Sequence, residues 1–493
     1  MRLPATLSCL LLLSAALAAQ DTAQPLTIDD AIRLALANNR SIKVDAYSRA
    51  IARANLLSAY GQFDPALNFS RSKSENYSLS LASPDNGFLP PATLVRTDTY
   101  ALSLGGVMPW GLSYSIGGSA QNQRGSYNGF NDAFQTFGGI QVTQPLLRGF
   151  GFGGNTSLLG VRLAKADRAI SDWQYRQTVI DTVTQVVVAY SNLVFAHAYL
   201  RTAQLSRQLA AGLVTENEKR FKIGSMSEND VTSARAQMAL REEGIVSAER
   251  LVRDSDNQLR LLLGESAFPN DGPLLAVDPP VLPEVDVRPA EDLKKAYELR
   301  SDYQQSRLGL NKSRYNAAYA RNQLLPQVNF VGSYGYSGLD SNFAASRRMV
   351  GTQDNRAYSA GLEVSVPLTF AAGRGKARAA RLQLRQNEAS LQLMEENIAL
   401  SVAEAAGQVE STLKRVAAAK SARDLNDTLL QAELKRLRAG TGSTFSVLYQ
   451  QTQLIQADVQ YAQALADQRR AATAYEREIG TTLEHYHLTL TDK

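Results

Sequence analysis

Two long stretches of this 493-residue chain contain no proline, and that constrains the fold more than any other feature. None falls in the 123 residues between Pro145 and Pro269, and none in the 126 after Pro367. Proline removes a backbone donor and clashes inside a helix, so such stretches permit helices of unusual length. Each is broken once, at a glycine in matching surroundings. One break reads Arg220-Phe-Lys-Ile-Gly224-Ser-Met-Ser227 and the other Arg436-Leu-Arg-Ala-Gly440-Thr-Gly-Ser443. A basic last turn, a glycine at C′ and a serine N-cap describe the turn of a helical hairpin. Two hairpins of equal size follow, and with them an internal duplication.

Apolar residues keep a heptad-like spacing through Val179, Val183, Val186, Tyr190 and Leu193, and again through Val231, Ala234, Met238, Ile245 and Val252. A period of 3.5 is a coiled-coil seam rather than the broader stripe of a globular helix. Asn155 to Lys222 spans 68 residues, roughly 100 Å if unbroken. On the helices alone, a soluble coiled-coil rod stands as an equal reading.

The N-terminus separates the two. Met1-Arg2, an apolar core from Leu7 to Ala16 and an Ala16-Leu17-Ala18 site read as a signal peptide cleaved after Ala18. The stretch is shorter than the ~20 residues a membrane anchor needs. Cys9 sits inside the apolar core, the wrong place for lipidation, so the mature chain has no cysteine and no thiolate chemistry. It also shows no apolar run read as a membrane helix. The formal charge of +5, or +4 without Arg2, is spread too thinly for a nucleic-acid partner.

A repeat offset of 261 residues appears next. Thr27-Ile-Asp-Asp30 opens a helical pattern to Asn39, with another from Ser41 to Tyr60. The segment from Ala290 to Asn322 matches it, and Pro65/Pro326, Asn68/Asn329 and Phe69/Phe330 coincide. Strand-like alternation follows each proline, as in Val328, Phe330, Tyr334 and Tyr336, or Tyr358, Leu362 and Val364. Strands of about ten residues with one apolar face suit a transmembrane β-barrel, or a soluble sheet with one wet face. Ser83 to Pro91 and Gly338 to Arg356 read as long exposed loops. The first half carries 39 additional residues, including Tyr100-Leu102-Leu104 and Leu112-Tyr114-Ile116 around a Pro109-Trp110-Gly111 turn. This pair either adds two strands to a barrel or folds over its mouth.

Taken together, the opening Leu26-Thr27, the proline-led strands, Gln144-Pro-Leu-Leu-Arg148, Val366-Pro-Leu368 and the two glycine turns resemble the TolC-like outer-membrane efflux family. The resemblance covers essentially the whole mature chain. It implies a homotrimer whose protomers share one transmembrane antiparallel β-barrel, continued by a long α-helical coiled-coil tunnel in the periplasm. It also implies a periplasmic adaptor, or membrane fusion protein, at the hairpin tips, bridging to an inner-membrane pump for efflux or type I secretion. The expected layout is a signal peptide at 1–18, a first repeat at 19–270, a linker at 271–289, a second repeat at 290–484 and a tail at 485–493. The first repeat would hold barrel strands at about 65–145 and a hairpin at about 154–263; the second, strands at about 326–367 and a hairpin at about 374–480.

The resemblance places the adaptor contact at Gly224, Ser227, Gly440, Thr441 and Ser443, where C′ capping is the direct role of the glycines. It places the tunnel aperture at Asp230, which also fits a plain first-turn helix acid. Where relatives carry acids at the second tip, this chain has Ser446 and Tyr449, and Gly442 replaces an expected arginine; Arg438 is the remaining basic candidate partner. An enzyme fits poorly: His485-x-His487 lies in a tail, and Gly149-Phe-Gly-Phe-Gly-Gly154 lacks the lysine of a phosphate loop. A catalytic site, cofactor or metal is therefore not expected. A structural periplasmic spacer or adhesin would share the coiled coils but not the alternating strands.

Overall fold

The computed structural model describes residues 24–78, 93–150, 156–264, 272–277 and 286–489. The expected signal peptide, the Ser83–Pro91 loop and most of the Gly149–Gly154 run lie outside them.

The chain opens with β1 (Gln24–Leu26), α1 (Ile28–Asn38) and α2 (Arg40–Tyr60). Strands β2 (Ala66–Ser78), β3 (Thr93–Val107), β4 (Ser113–Gly125) and β5 (Phe134–Pro145) follow. The first helical hairpin is α3 (Leu159–Lys222) and α4 (Glu228–Leu263), after which comes β6 (Leu274–Ala276). The second half repeats the plan: α5 (Pro289–Leu299), α6 (Ser301–Asn322), β7 (Gln327–Asp340), α7 (Phe343–Thr352) and β8 (Arg356–Ser365). It ends with α8 (Ala371–Arg438), α9 (Thr444–Ile479) and α10 (Thr482–His485). Two bodies emerge: one gathers residues up to Val44 with Arg176–Arg300 and Asn397–Lys493, the other Asp45–Tyr175 with Ser301–Glu396.

In the helical body the duplication extends to single hydrogen bonds. The segment read as one helix from Ala290 to Asn322 is broken at Arg300, as its counterpart is at Asn39. At the first break Asn39 Nδ2 donates to the Leu262 carbonyl over 2.9 Å; at the second, Arg300 Nη1 donates to the Glu478 carbonyl over 3.2 Å. Both bonds satisfy the orphan carbonyls at a helix C-terminus, beside a glycine in the left-handed region. Gly264 (φ +77°) and Gly480 (φ +81°) are closely approached there: a Cβ would meet Asn38 O at 2.8 Å in one and Leu299 Cβ at 2.9 Å in the other.

The seam is buried as its spacing requires. Val179, Val183, Val186, Tyr190 and Leu193 on α3 are all at most 1% exposed, as are Ala234, Ala248 and Leu259 on α4. Contrary to the sequence reading, one 18-residue window of the α3 run is apolar enough by length and composition to cross a membrane, and 61% of it is buried inside the protein. Its apolarity is that of a helix with partners on its seam. The stretch expected to be a plain linker also contributes structure: β6 pairs in parallel with β1. Tyr190 Oη donates to Leu26 O over 3.0 Å, and His197 Nε2 lies 3.1 Å from Leu274 O, so two side chains of α3 hold this small sheet.

After α9 the chain folds back through α10 and covers Glu476, which is 7% exposed. His485 Nδ1 lies 3.2 Å from Glu476 Oε1, and among the described residues Oε2 has no hydrogen-bond partner. Burial pushes the Glu476 carboxyl up to about 7.

The other body is built on one six-stranded antiparallel sheet in the order β2-β3-β4-β5-β7-β8. The hairpin around Trp110 joins this sheet as β3 and β4, between β2 and β5. Register puts Leu67, Phe69, Leu102, Ile116, Ile140 and Leu362 on one face. The opposite face carries Ser70, Ser103, Ser119, Gln141, Ser333 and Ser359. Alternation of this kind suits a sheet with oil on one side and water on the other. It holds where β2–β4 carry Leu67, Phe69, Leu102 and Ile116, and beyond Tyr100 the same face turns polar with Arg71, Lys73, Glu75, Arg96, Asp98 and Arg124. On the small-residue face, the Phe137 ring lies over Gly139 and Gly335, where a Cβ would meet it at 2.9 and 2.8 Å.

The segment expected to be a long loop from Gly338 to Arg356 instead contains α7. Asn342 caps it, accepting from Ala344 N and Ala345 N, and Gln353 ends it at φ 61°. Buried Ser346 donates to Phe134 O, its hydroxyl lies 2.8 Å from Thr136 Oγ1, and Phe343 packs on Phe134 with centroids 5.8 Å apart. A Cβ on Gly138 would meet Val350 at 2.9 Å, so α7 rests on the apolar face. A polar-rich stretch concealed an i, i+3, i+7 face on which apolar Phe343 and Val350 flank the buried, hydrogen-bonded Ser346.

Candidate functional site

Both hairpin turns belong to the helical body, and they are alike residue by residue at a constant offset of 216. Lysine and arginine crowd the last turns of α3 and α8, where they complement the C-terminal dipole. Gly224 and Gly440 then adopt φ of +74° and +76°, a region that costs an L-residue but not glycine. Ser225 N donates to Arg220 O over 2.9 Å and Thr441 N to Arg436 O over 3.0 Å, closing the helix ends. Neither glycine has any atom within 4 Å of a Cβ position, so backbone conformation alone requires them.

Each return helix starts on a serine. Ser227 accepts from Asp230 N at 3.2 Å and Ser443 from Ser446 N at 3.1 Å. Ser227 Oγ also donates to the Asp230 carboxylate over 2.6 Å, whereas at the second tip the corresponding contact is hydroxyl to hydroxyl, Ser443 to Ser446 at 3.0 Å. Asp230 is thereby occupied as a first-turn acid. No ion pair joins it to Arg438 among the described residues, and Arg438 is exposed. Tyr449 is 54% exposed one turn beyond Ser446. The structure thus draws Asp230 to Ser227 and Ser446 to Ser443, and leaves Arg438 and Tyr449 apart from both.

Three features at the tips were not singled out in the sequence. The first ties the hairpins together: Arg220 Nη1 donates to Leu437 O over 3.0 Å while its Nε holds Glu216 at 2.9 Å. Below it, Leu213 of the first hairpin packs with Leu430, Leu437, Val447 and Leu454 of the second. The second is Asn217, fully buried, whose Nδ2 donates to Asp230 O over 3.3 Å while Oδ1 makes no hydrogen bond. The third is an exposed apolar pair, Ile223 at 78% and Phe445 at 77%. Their signal was available: Ile223 lies in the connection between α3 and α4 and Phe445 in the first turn of α9, where no seam needs a large apolar residue.

Long paired coiled-coil hairpins with exposed capped tips stand here on a chain that also carries an antiparallel sheet with one apolar face. The chain matches the family described as Outer membrane efflux protein over residues 110–265 and 293–481, and it belongs to that family. It is an efflux channel of the outer membrane with its helical tunnel in the periplasm. Among solved structures it is similar to the CmeC outer membrane channel of Campylobacter jejuni, with a TM-score of 0.65, 14% identity and 92% of this chain and 85% of that chain covered. The outer membrane protein VceC of Vibrio cholerae aligns with a TM-score of 0.65 and 16% identity, covering 92% and 96%. The open-state MtrE outer membrane channel of Neisseria gonorrhoeae aligns with a TM-score of 0.65 and 15% identity, covering 92% and 88%. Among curated protein sequences no match is found.

Proposed function

We propose that three copies of the mature chain assemble into one channel-tunnel, each adding its sheet to a shared β-barrel and its two hairpins to the tunnel wall. The observation that carries this is the sheet itself: among the described residues β2 and β8 are unpaired edges, and one face is exposed and apolar. Lipid tolerates neither an open edge nor an unclosed sheet, and six strands are too few to close alone. The copy number follows the resemblance to the TolC-like family. In this reading 1–18 directs export and is removed, each repeat supplies strands followed by a hairpin, and 271–289 joins the repeats.

The tips meet a periplasmic adaptor that couples the channel to an inner-membrane pump. Gly224, Ser227, Gly440, Thr441 and Ser443 fix the shape of the contact, and the exposed Ile223 and Phe445 supply apolar area to it. Asp230, Arg438, Ser446 and Tyr449 line the aperture, and the second tip adds no acid of its own to that of Asp230. In-cell photocrosslinking from a reactive amino acid at Phe445 tests the contact. Identification of a membrane fusion protein by mass spectrometry is expected. Labelling no stronger than from an exposed mid-helix site such as Leu429 contradicts it.

A further inference from the structure

The two halves of the duplication contribute unequally to the sheet: four strands, β2 to β5, against two, β7 and β8. The surplus is the pair β3 and β4. It is hydrogen-bonded on both sides, β3 to β2 and β4 to β5. Its alternation is also in phase with the rest: Leu102 and Ile116, each about half exposed, share the face of Phe69 and Ile140. Ser103 and Gly117 fall on the small-residue face with Asn68. A flap over a mouth needs neither pairing on both flanks nor matching phase; a piece of barrel wall needs both.

We propose that Thr93–Gly125 is membrane wall, and that β2 of one copy pairs with β8 of the next, so that three copies close an eighteen-stranded barrel. The inference rests on the trimeric reading above. Six alternating strands leave edges that run antiparallel, so the joint between copies repeats the pairing found inside each. A spacing of about 4.8 Å and a tilt of about 40° give a backbone diameter of about 36 Å for eighteen strands, against about 24 Å for twelve. Twelve is what four strands per copy, two from each half, would supply. Allowing about 10 Å for the wall leaves roughly 26 Å of clear width rather than 14 Å. An α-helix with its side chains is about 10–12 Å across, so the wider pore clears a helical hairpin and the narrower one a single helix.

The lining agrees with bulky cargo. Among the described residues of the six strands, the face of Ser103 and Ser333 carries one charge, Glu363, and is otherwise mostly Ser, Thr, Gly, Asn and Gln. Such a surface passes polypeptide-sized solutes without holding them, leaving selection to the tips and the pump.

Electron cryomicroscopy of the mature protein in lipid nanodiscs tests this. Three copies and eighteen strands at about 36 Å are expected, and a variant lacking Thr93–Gly125 is expected to shrink to twelve strands at about 24 Å. A closed trimer of twelve strands in the unaltered protein, with Thr93–Gly125 outside the wall, overturns the inference and leaves the trimeric reading standing. A copy number other than three, or no closed barrel, overturns both. Because the shortened variant can fail to fold, a substitution pair gives an independent measure. Leu102→Arg on the lipid face is expected to abolish heat-stable trimer in the outer membrane, and Ser103→Arg on the lumen face to retain it. Equal yields of the two contradict the proposal.

Discussion

Replacing Glu476 with glutamine should remove a pH dependence that the wild-type protein displays near neutrality. The carboxyl is 7% exposed, among the described residues Oε2 has no hydrogen-bond partner, and burial raises it from an ordinary 4.5 to about 7. His485 offsets less of the penalty than an ordinary histidine would, because burial, and next the neighbouring His487, push its own pKa down. The surrounding cavity of about 500 Å³ also presents Asp29, Arg33, Arg469 and His487. A raised carboxyl binds its proton more tightly in the folded state, so the stability it contributes is full below about 4.5 and is lost as pH rises through about 7. At 1.36 kcal/mol per unit, the swing is roughly 3 kcal/mol per chain. With an unfolding entropy of about 2.1 cal/mol/K per residue over some 475 residues, this is a fall of about 3 °C in Tm between pH 5 and pH 8. Glutamine keeps the size and removes the titration, so Glu476→Gln should be more stable than wild type at pH 8 and nearly level with it at pH 5. Scanning fluorimetry of the detergent-solubilised protein across this range reads both. Parallel profiles for the two proteins refute the reasoning.

Valine at Gly224 or Gly440 must adopt a positive φ at about 1–2 kcal/mol; membrane insertion and trimer yield should hold while export stops, and normal export would contradict the role given to the turns. Asp230→Asn preserves an acceptor for Ser227 and should leave single-channel conductance unchanged; a large increase would mean that an ion pair at Asp230 holds the aperture. Leu437→Ala removes a side chain from the core shared by the two hairpins and should cost about 2–5 kcal/mol, read as earlier tip proteolysis. Proline at Val186 breaks a fully buried helix interior and should cost ~3 kcal/mol or more, abolishing heat-stable trimer.

Much of the fold was legible because it rests on strong, local signals. Proline-free stretches, a heptad seam and a glycine-serine turn name long helical hairpins before any coordinate is known. Alternation of Phe330, Tyr334 and Tyr336 names a strand, and the 261-residue offset names the duplication. What remained hidden depends on tertiary partners. Three-residue strands such as β6 carry no periodicity, so its pairing with β1 could not be read from Leu274–Ala276. Helix α7 lay concealed because only the sheet beneath it, through Thr136 and Gly138, gives its few apolar residues a surface. Arg220 and Arg436 occupy equivalent places in sequence, yet only Arg220 reaches across to Leu437 O. The capping roles of Gly224 and Ser227 were written in residue type; the exposure of Ile223 and Phe445 emerged only with the packing of the seam around Leu213, Leu437 and Val447.

The central claim, that this chain forms a channel through a lipid bilayer, is tested most directly by adding the purified mature protein to one side of a planar membrane. Discrete, uniform conductance steps from a trimeric preparation are the predicted result. An intact protein that inserts into the bilayer and produces no steps above baseline, at either polarity, would contradict it.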